Sequence, residues 1–407
     1  MSTRLGIIGG GAAGLMAAVQ ALRLNMDVTV LEGGSRAGKK LSATGNGRGN
    51  FTNLALSLDK YPGIDTAFLQ AAFSCFDQYD AVAFFESIGV YARLRNGYVY
   101  PRSEQASALT AALLAEFGRL GGKLVTDCKV TALQRTRDGF SVTAAGQQSF
   151  VFEKLILAAG GKTASKTGSD GSGFALARSL GHEIVRPVPA LAGLAFRSST
   201  LANAAGVRTE AAVSLNVGGV ETHREYGELQ ITEQGISGIP VMHLSRYAAR
   251  ALAEGKKVEA VIDLLPEWDD AEAWKIIKEC DDYSGIVNAR LMKALPRNRD
   301  GFLKMCKRYP VAVTGIRDPE TAQVTCGGVS LKEADPLTMA SKKVKDLYLA
   351  GEVLDVDGRC GGYNLQWAWT SGTLAAYGAA GKPCVHHEPD PALVRRLEQA
   401  EVADRRR

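Results

Sequence analysis

No two of the chain's cysteines stand in a CxxC spacing. There are seven of them, Cys75, Cys128, Cys280, Cys306, Cys326, Cys360 and Cys384, an odd and scattered set. Such a set suggests neither a disulfide framework nor a zinc site, and it excludes a CxxC dithiol. No apolar stretch is long enough to span a bilayer. No signal peptide precedes the first apolar run, so the cytoplasm is the expected compartment. A charge excess is also lacking. The net value is +5, which does not by itself argue for nucleic acid. Much of it can sit on Arg405, Arg406 and Arg407, read as a frayed, solvated end. With 46% apolar and 22% charged residues, the chain reads as globular rather than disordered. At 407 residues it is long for one core, and two or three lobes are expected. No internal repeat stands out.

What is present is concentrated first in residues 5–32, LGIIGGGAAGLMAAVQALRLNMDVTVLE. Residues 5–8 read as a buried strand. Gly9, Gly11 and Gly14 then give GxGxxG, and Ala12 and Ala13 lie inside that motif. Residues 13–24 are helix-compatible, with Leu15, Ala18, Val19 and Leu22 on one face. Residues 28–31 read as a second strand, which ends on Glu32. The three glycines provide a tight turn, room for backbone beside a pyrophosphate, and close helix packing. The helix N-terminus offers N–H groups to that pyrophosphate. Glu32 can accept from ribose hydroxyls. A free 2′-hydroxyl suits FAD or NAD rather than NADP, and the mild positive charge fits an anionic cofactor.

Residues 33–53, GGSRAGKKLSATGNGRGNFTN, leave the second strand on the cofactor side. Gly permits close backbone approach, and Arg36, Lys39, Lys40 and Arg48 can neutralise phosphate. Helices are expected over 66–89 and over 104–120, the latter capped by Ser103. A turn is expected at Asn96-Gly97 and a hairpin over 140–152. A buried strand at 155–159 ends in Gly160-Gly161. The loop 162–173 that follows is read as closing over the cofactor or substrate. Pro187 and Pro189 mark a composition shift. Residues 189–316 are read as an insertion, β-rich over 189–265 and helical over 270–308. The flanking parts, 1–188 and 317–385, form one nucleotide-binding domain, and 386–407 is a C-terminal tail.

Residues 343–379 carry the second concentration of signals. A strand at 347–350 ends in Gly351-Glu352, the rim where ligands bind in open α/β sheets. Gly361-Gly362 then opens a helix near Tyr363. One βαβ unit holds only the ADP half of FAD, so a flavin needs a distant second contact. Glu352 or Asp357 can accept from ribityl hydroxyls. The N–H groups of Tyr363, Asn364 and Leu365 can face the N1/C2=O edge of the ring, where reduced flavin carries negative charge.

Several blocks together resemble a known family: GGGAAGLMAA (9–18), KKLSATGNGRGNFTN (39–53), TGSDGSGFALARSLGH (167–182), GELQITEQGISGIPV (227–241), TCGGVSLKEADPLTMASK (325–342) and LYLAGEVLDVDGRCGGYNLQWAWTSG (347–372). The chain is similar to bacterial FAD-dependent oxidoreductases of the bile-acid-reductase-like and aminoacetone-oxidase-like group, in the glutathione reductase and fumarate reductase superfamily. The resemblance implies an α/β, Rossmann-like FAD domain of the glutathione-reductase type with an inserted domain, partly β-barrel and partly helical. It implies flavin contacts at Ala13, Glu32, Lys39, Lys40, Arg48, Asn50, Val130, Gly351, Glu352, Asp357, Asn364 and Leu365. Gly160 and Gly362 join them as turn glycines. One departure is visible: similar proteins read GRCN where this chain has Gly47-Arg48-Gly49-Asn50.

The expected function is FAD-dependent hydride transfer between NAD(P)H, flavin and a small organic substrate, with an activated C=C bond in an oxo-steroid-like molecule as one target. With no second dinucleotide fingerprint, NAD(P)H is expected to bind transiently over the flavin. The alternatives are an amine oxidase, an RNA-modifying flavoprotein (motivated by the basic insert with Arg290, Lys293, Arg297 and Arg299, and by Arg405, Arg406 and Arg407) and a non-catalytic FAD sensor. No catalytic acid or base is assigned. His182, His223, His243 and Tyr226 are candidates, each with a structural explanation beside it, and Tyr363 is the aromatic candidate for a substrate pocket.

Overall fold

The computed structural model describes residues 3–197, 199–280, 282–385 and 388–405. Contacts divide the chain into two compact units, 1–187 with 325–407, and 188–324. The chain leaves the first unit along Ile184–Ala190 and returns along Val324–Val329, and these two strands pair.

The larger unit is built on a five-stranded parallel sheet. Its strands are β1 (Arg4–Ile8), β2 (Asp27–Leu31), β3 (Lys123–Val125), β4 (Lys154–Leu157) and β5 (Leu347–Leu349), in the order β5-β4-β1-β2-β3. Leu5, Ile7, Val30, Leu155, Ile156, Leu157, Leu347 and Leu349 are all fully buried. Their short apolar runs are what a parallel sheet covered on both faces requires. Successive strands run outward from β1 toward β3 and then return on its other side as β4. The C-terminal end of β1 is therefore a topological switch point, the usual place for a ligand in open α/β sheets. Three helices matter to the site: α1 (Ala12–Arg23), α2 (Ala106–Arg119) and α3 (Tyr363–Ala380). α3 is buried nearly all round, including Trp367, Trp369, Leu374 and Ala376.

Several local expectations are corrected. Residues 66–89 form two helices, Thr66–Phe73 and Gln78–Ser87, because Asp77 starts the second with a reciprocal Asp77–Asp80 capping box. α2 begins at Ala106, so Ser103 is not its cap. The hairpin turn at Asn96-Gly97 is present, with both residues at positive φ, 49° and 81°, the signature of a type I′ turn. The C-terminal stretch carries a helix, Pro391–Arg405. Its Leu393 and Leu397 are buried with the larger unit's core, and Arg396 forks onto Glu86. Arg406 and Arg407 lie outside the described residues.

The smaller unit is a closed six-stranded barrel in the order Gly193–Phe196, Gly235–Ser237, Val220–Thr232, Arg208–Val217, Val258–Asp263, Tyr309–Arg317. The helix Ile239–Ala253 buries Val241, Leu244 and Ala248. This unit runs to Val324, past the expected 316, and its last barrel strand is the one that follows the helical part. That part is less helical than the apolar spacing suggests. Among its described residues, only Asp270–Ile277 and Arg299–Lys307 are α-helical. Between them Asp282 and Asn288 accept from the N–H groups of Ser284 and Arg290, local turns that compete with helix. Among the described residues, no helix is long and apolar enough to cross a membrane.

Candidate cofactor site

The first cradle forms where β1 turns into α1. Gly9 sits at φ 101° with its N–H on the Leu31 carbonyl, and a Cβ there would strike the Ala158 carbonyl. A Cβ at Gly14 would strike the Gly9 carbonyl. These two glycines let the turn and helix close on the sheet. A Cβ at Gly11 would meet nothing within 4 Å. Ala12 opens α1 directly after it, so open space lies beside the start of α1, where the helix N–H groups are without intrahelical partners. Ala13 is buried, and its backbone is the floor against which Gly372 of α3 packs.

Glu32 is held rather than free. Its two oxygens accept from Gly10 N at 2.8 Å and Gly34 N at 2.7 Å. Each carboxylate oxygen retains a lone pair for a ribose hydroxyl. The segment before Val130 lies along the same stretch. Cys128 N donates to Glu32 O and Asp127 N to Gly34 O, both at 2.9 Å. Val130 itself is buried at the start of a strand. The Gly38 N–H anchors the basic loop to Gly10 O at 2.8 Å. Lys39 and Lys40 then open a one-turn helix, and Arg48 is exposed on an arc of left-handed residues, Gly45, Asn46, Gly47 and Gly49. Gly49 has a packing reason. At φ 76° its absent Cβ would lie 2.7 Å from Ala106 Cα, so a cysteine cannot enter without moving α2.

The second cradle forms beyond β5. Gly351, at φ 75°, is pinned from both sides by α3: its N–H donates to Ser371 Oγ at 2.9 Å, and its carbonyl accepts from Trp367 Nε1 at 3.1 Å. Glu352 is joined to Lys40 by a 2.8 Å ion pair, and its other oxygen accepts from Thr325 N at 2.7 Å. Thr163 and Thr325, both buried, complete the cluster; Thr325 Oγ1 accepts from Lys162 N at 2.7 Å. Thr163 and Thr325 stand in stretches that the sequence singled out, but nothing in either stretch connects them to Glu352.

Asn364 staples the preceding loop, accepting from Gly358 N at 2.8 Å and donating to Gly358 O at 2.9 Å. Oriented to suit its neighbours, the Asn50 amide donates to Thr52 O and Val99 O and accepts from Gly362 N. Both side chains thus shape backbone. Gly362 caps α3 at φ 93°. The first intrahelical bond of α3 runs from Gln366 N to Gly362 O, so the N–H groups of Tyr363, Asn364 and Leu365 precede the ladder. Asp357 is buried, and its carboxylate comes within 4.8 Å of the Cys326 thiol and an Asp355 oxygen. Gly160 turns the chain out of β4 at φ 75°.

The candidate acid–base residues fall into structural settings. His182 is buried, with Nδ1 2.7 Å from Glu333 and Nε2 3.0 Å from Ser341 Oγ. His243 Nδ1 meets Glu225 at 3.3 Å. His223 stacks on Tyr247 at 3.5 Å, and burial, then the Arg246 cation, lowers its pKa. Tyr226 is exposed on the barrel. Tyr363 is buried against Tyr61, whose hydroxyl donates to the Tyr363 carbonyl at 2.8 Å, and burial pushes the Tyr363 phenol up to about 12. It is packed as core rather than as an open pocket wall.

The HI0933-like protein Rossmann domain family matches residues 3–378. The chain belongs to that family. It is 40% identical over 408 residues to a 3-dehydro-bile acid delta(4,6)-reductase of Clostridium scindens, covering 93% of this chain and 100% of that protein. It is 29% identical to a ribosomal RNA dihydrouridine synthase of Haemophilus influenzae, covering 91% and 96%. In fold it resembles a 3-ketosteroid delta1-dehydrogenase from Sterolibacterium denitrificans, with TM-score 0.53 and 13% identity over 93% of this chain and 100% of the other. A flavocytochrome c3 fumarate reductase gives TM-score 0.50 and 16% identity, covering 93% and 78%. The chain is an FAD-binding oxidoreductase. The residues present fit that cofactor: the open space over Gly11 suits a pyrophosphate, Glu32 a ribose, and the α3 N-terminus an electron-rich ring edge.

Proposed function

We propose that this protein reduces a carbon–carbon double bond conjugated to a ketone in a small, oxo-steroid-like acid, with NAD(P)H as transient electron donor. The observation that carries the reading is the end-to-end 40% identity with the bile acid delta(4,6)-reductase. FAD, when bound, supplies a two-electron hydride carrier. The chain's own residues hold and tune it. The Gly9–Gly14 turn and the α1 N-terminus receive pyrophosphate, and Glu32 receives the adenosine ribose. Glu352, set by Lys40 and Thr325, accepts from the ribityl chain. The N-terminal N–H groups of α3 stabilise negative charge on the ring. Lys39, Arg48 and the backbone near Val130 complete the enclosure. NAD(P)H binds over the flavin, since the chain has one GxGxxG turn, and the cytoplasm is the compartment that supplies it.

The test is the visible spectrum of the purified protein, followed anaerobically as NADH and then NADPH are added. Bleaching of the flavin bands by a nicotinamide and not by amines, followed by reoxidation with a 4-en-3-one steroid acid, is expected. Flavin that neither nicotinamide bleaches, or that only amines reduce, overturns the proposal. The 29% relative favours a second reading, an RNA substrate, with exposed Arg290, Lys293, Arg297 and Arg299 on the smaller unit as the contact surface. Steep salt-dependent RNA binding decides for it.

A further inference from the structure

One loop has a construction that cofactor binding as described does not use. Residues 161–171 leave the end of β4 and return to the same point, where Gly171 N donates to Gly161 O at 3.0 Å. The base is fixed by Lys162 N on Thr325 Oγ1 at 2.7 Å. Within it Ala164 takes a left-handed conformation, φ 56°, which costs a non-glycine residue free energy and recurs at ligand clamps. Gly168, at φ 106°, brings the loop to the first cradle: a Cβ built on it lies 3.9 Å from Glu32 Oε1.

An ion pair ties this loop to the segment beside Glu32. Lys129 Nζ meets Asp170 Oδ2 at 2.7 Å. Lys129 follows the segment bonded to Glu32 and Gly34, and its Cα lies 3.6 Å from a Cβ built on Gly33. The other oxygen of Asp170 accepts from Ser172 N at 2.9 Å, at the start of the helix Ser172–Ser179. Burial works to raise the Asp170 carboxyl, yet Lys129 and Ser172 bring it down to about 2, so the pair persists at any ordinary pH. The loop is therefore closed at its base, strained within, and bolted on the far side of the acid that receives the ribose.

We propose that loop 161–171 is a cover over the adenosine end of FAD and that Lys129–Asp170 is its latch, so that the pair governs how slowly the cofactor leaves. The inference rests on FAD occupying the first cradle. Its test is the rate of FAD release from the full-length holoprotein, followed by the recovery of free-flavin fluorescence on dilution. Lys129→Ala and Asp170→Asn should each release FAD about threefold to fivefold faster, the size expected of a half-exposed ion pair. Asn at 170 keeps the acceptor for Ser172 N–H, so the helix start is preserved. Wild-type release should quicken with added salt, and release from the two variants should not. The double variant Lys129→Ala with Asp170→Asn should release FAD no faster than either single variant, a non-additivity that a merely structural role for each residue would not give. Unchanged release in both single variants, or additive effects in the double variant, overturns the latch. Protein that never takes up FAD overturns the cofactor placement instead.

Discussion

The two cradles each hold one carboxylate in place, with different wiring. In the first, Glu32 is gripped by backbone N–H groups 22 and 2 residues away, Gly10 and Gly34. In the second, Glu352 is gripped by Lys40, 312 residues away, and by Thr325, 27 residues away across the chain's return from the barrel. The first is one continuous βαβ unit, and its geometry follows from glycine placement. The second exists only after β5, α3, the basic loop and the returning strand have met. A local cradle tolerates little change in its backbone. A remote one is sensitive to any of several side chains, each with a modest share.

The sharpest way to break the first cradle is Gly14→Val. The added atoms meet the Gly9 carbonyl, and overpacking at so tight a contact should cost about 3 kcal/mol. The variant should lose FAD and unfold at lower temperature, read by flavin absorbance and thermal melting; retained FAD at wild-type Tm would show that the turn can relax. Next in size is Glu32→Ala, which removes the acceptor from two N–H groups and the acceptor proposed for the ribose. FAD affinity should fall roughly 10- to 100-fold, the range for hydrogen bonds to a charged group, measured by titration of apoprotein. The second cradle calls for a double-mutant cycle of Lys40→Met and Glu352→Gln. If remote pairing sets Glu352, the coupling in FAD affinity should be about 1 kcal/mol; additive losses would mean that Thr325 alone positions it.

The smallest effect concerns the support beneath α1. Glu116 on α2 takes hydrogen bonds from Arg119 and from Arg23 at the end of α1. The Arg119 bond first, then that of Arg23, hold its carboxyl down at about 2 against burial. The folded pKa lies below the unfolded value, so the stabilisation is present above about pH 4.5 and is lost as pH falls toward 2. Glu116→Gln should cost about 1 kcal/mol at neutral pH and should flatten the acid limb of a pH–stability curve. An unchanged curve would show that α1 is held by packing alone.

Four strands of the parallel sheet, the glycine turn, Glu32 and the Gly351-Glu352 rim were legible because each is a short-range pattern. Apolar runs of strand length, glycines at fixed spacing and an acid at a strand end carry their geometry with them. The helical part of the smaller unit was not legible, because Tyr283, Val287 and Leu291 are buried at helical spacing while Asp282 and Asn288 turn the backbone elsewhere. Asn50 and Asn364 were read as flavin contacts. Their side chains hold the backbone at Gly362 and Gly358, a positioning role that residue type alone does not reveal.

The sequence by itself determined that the chain begins with a dinucleotide turn, that an acid follows the second strand, and that a glycine-capped helix waits near its other end. Backbone sterics at glycine and the periodicities of strand and helix are local, so residue order suffices for them. Only the tertiary structure decided that Lys40 belongs to Glu352, that Lys129 belongs to Asp170, that His182 is a buried partner of Glu333, and that Gly49 is required by α2. Each of those depends on which distant side chains share a few ångströms once the core has closed.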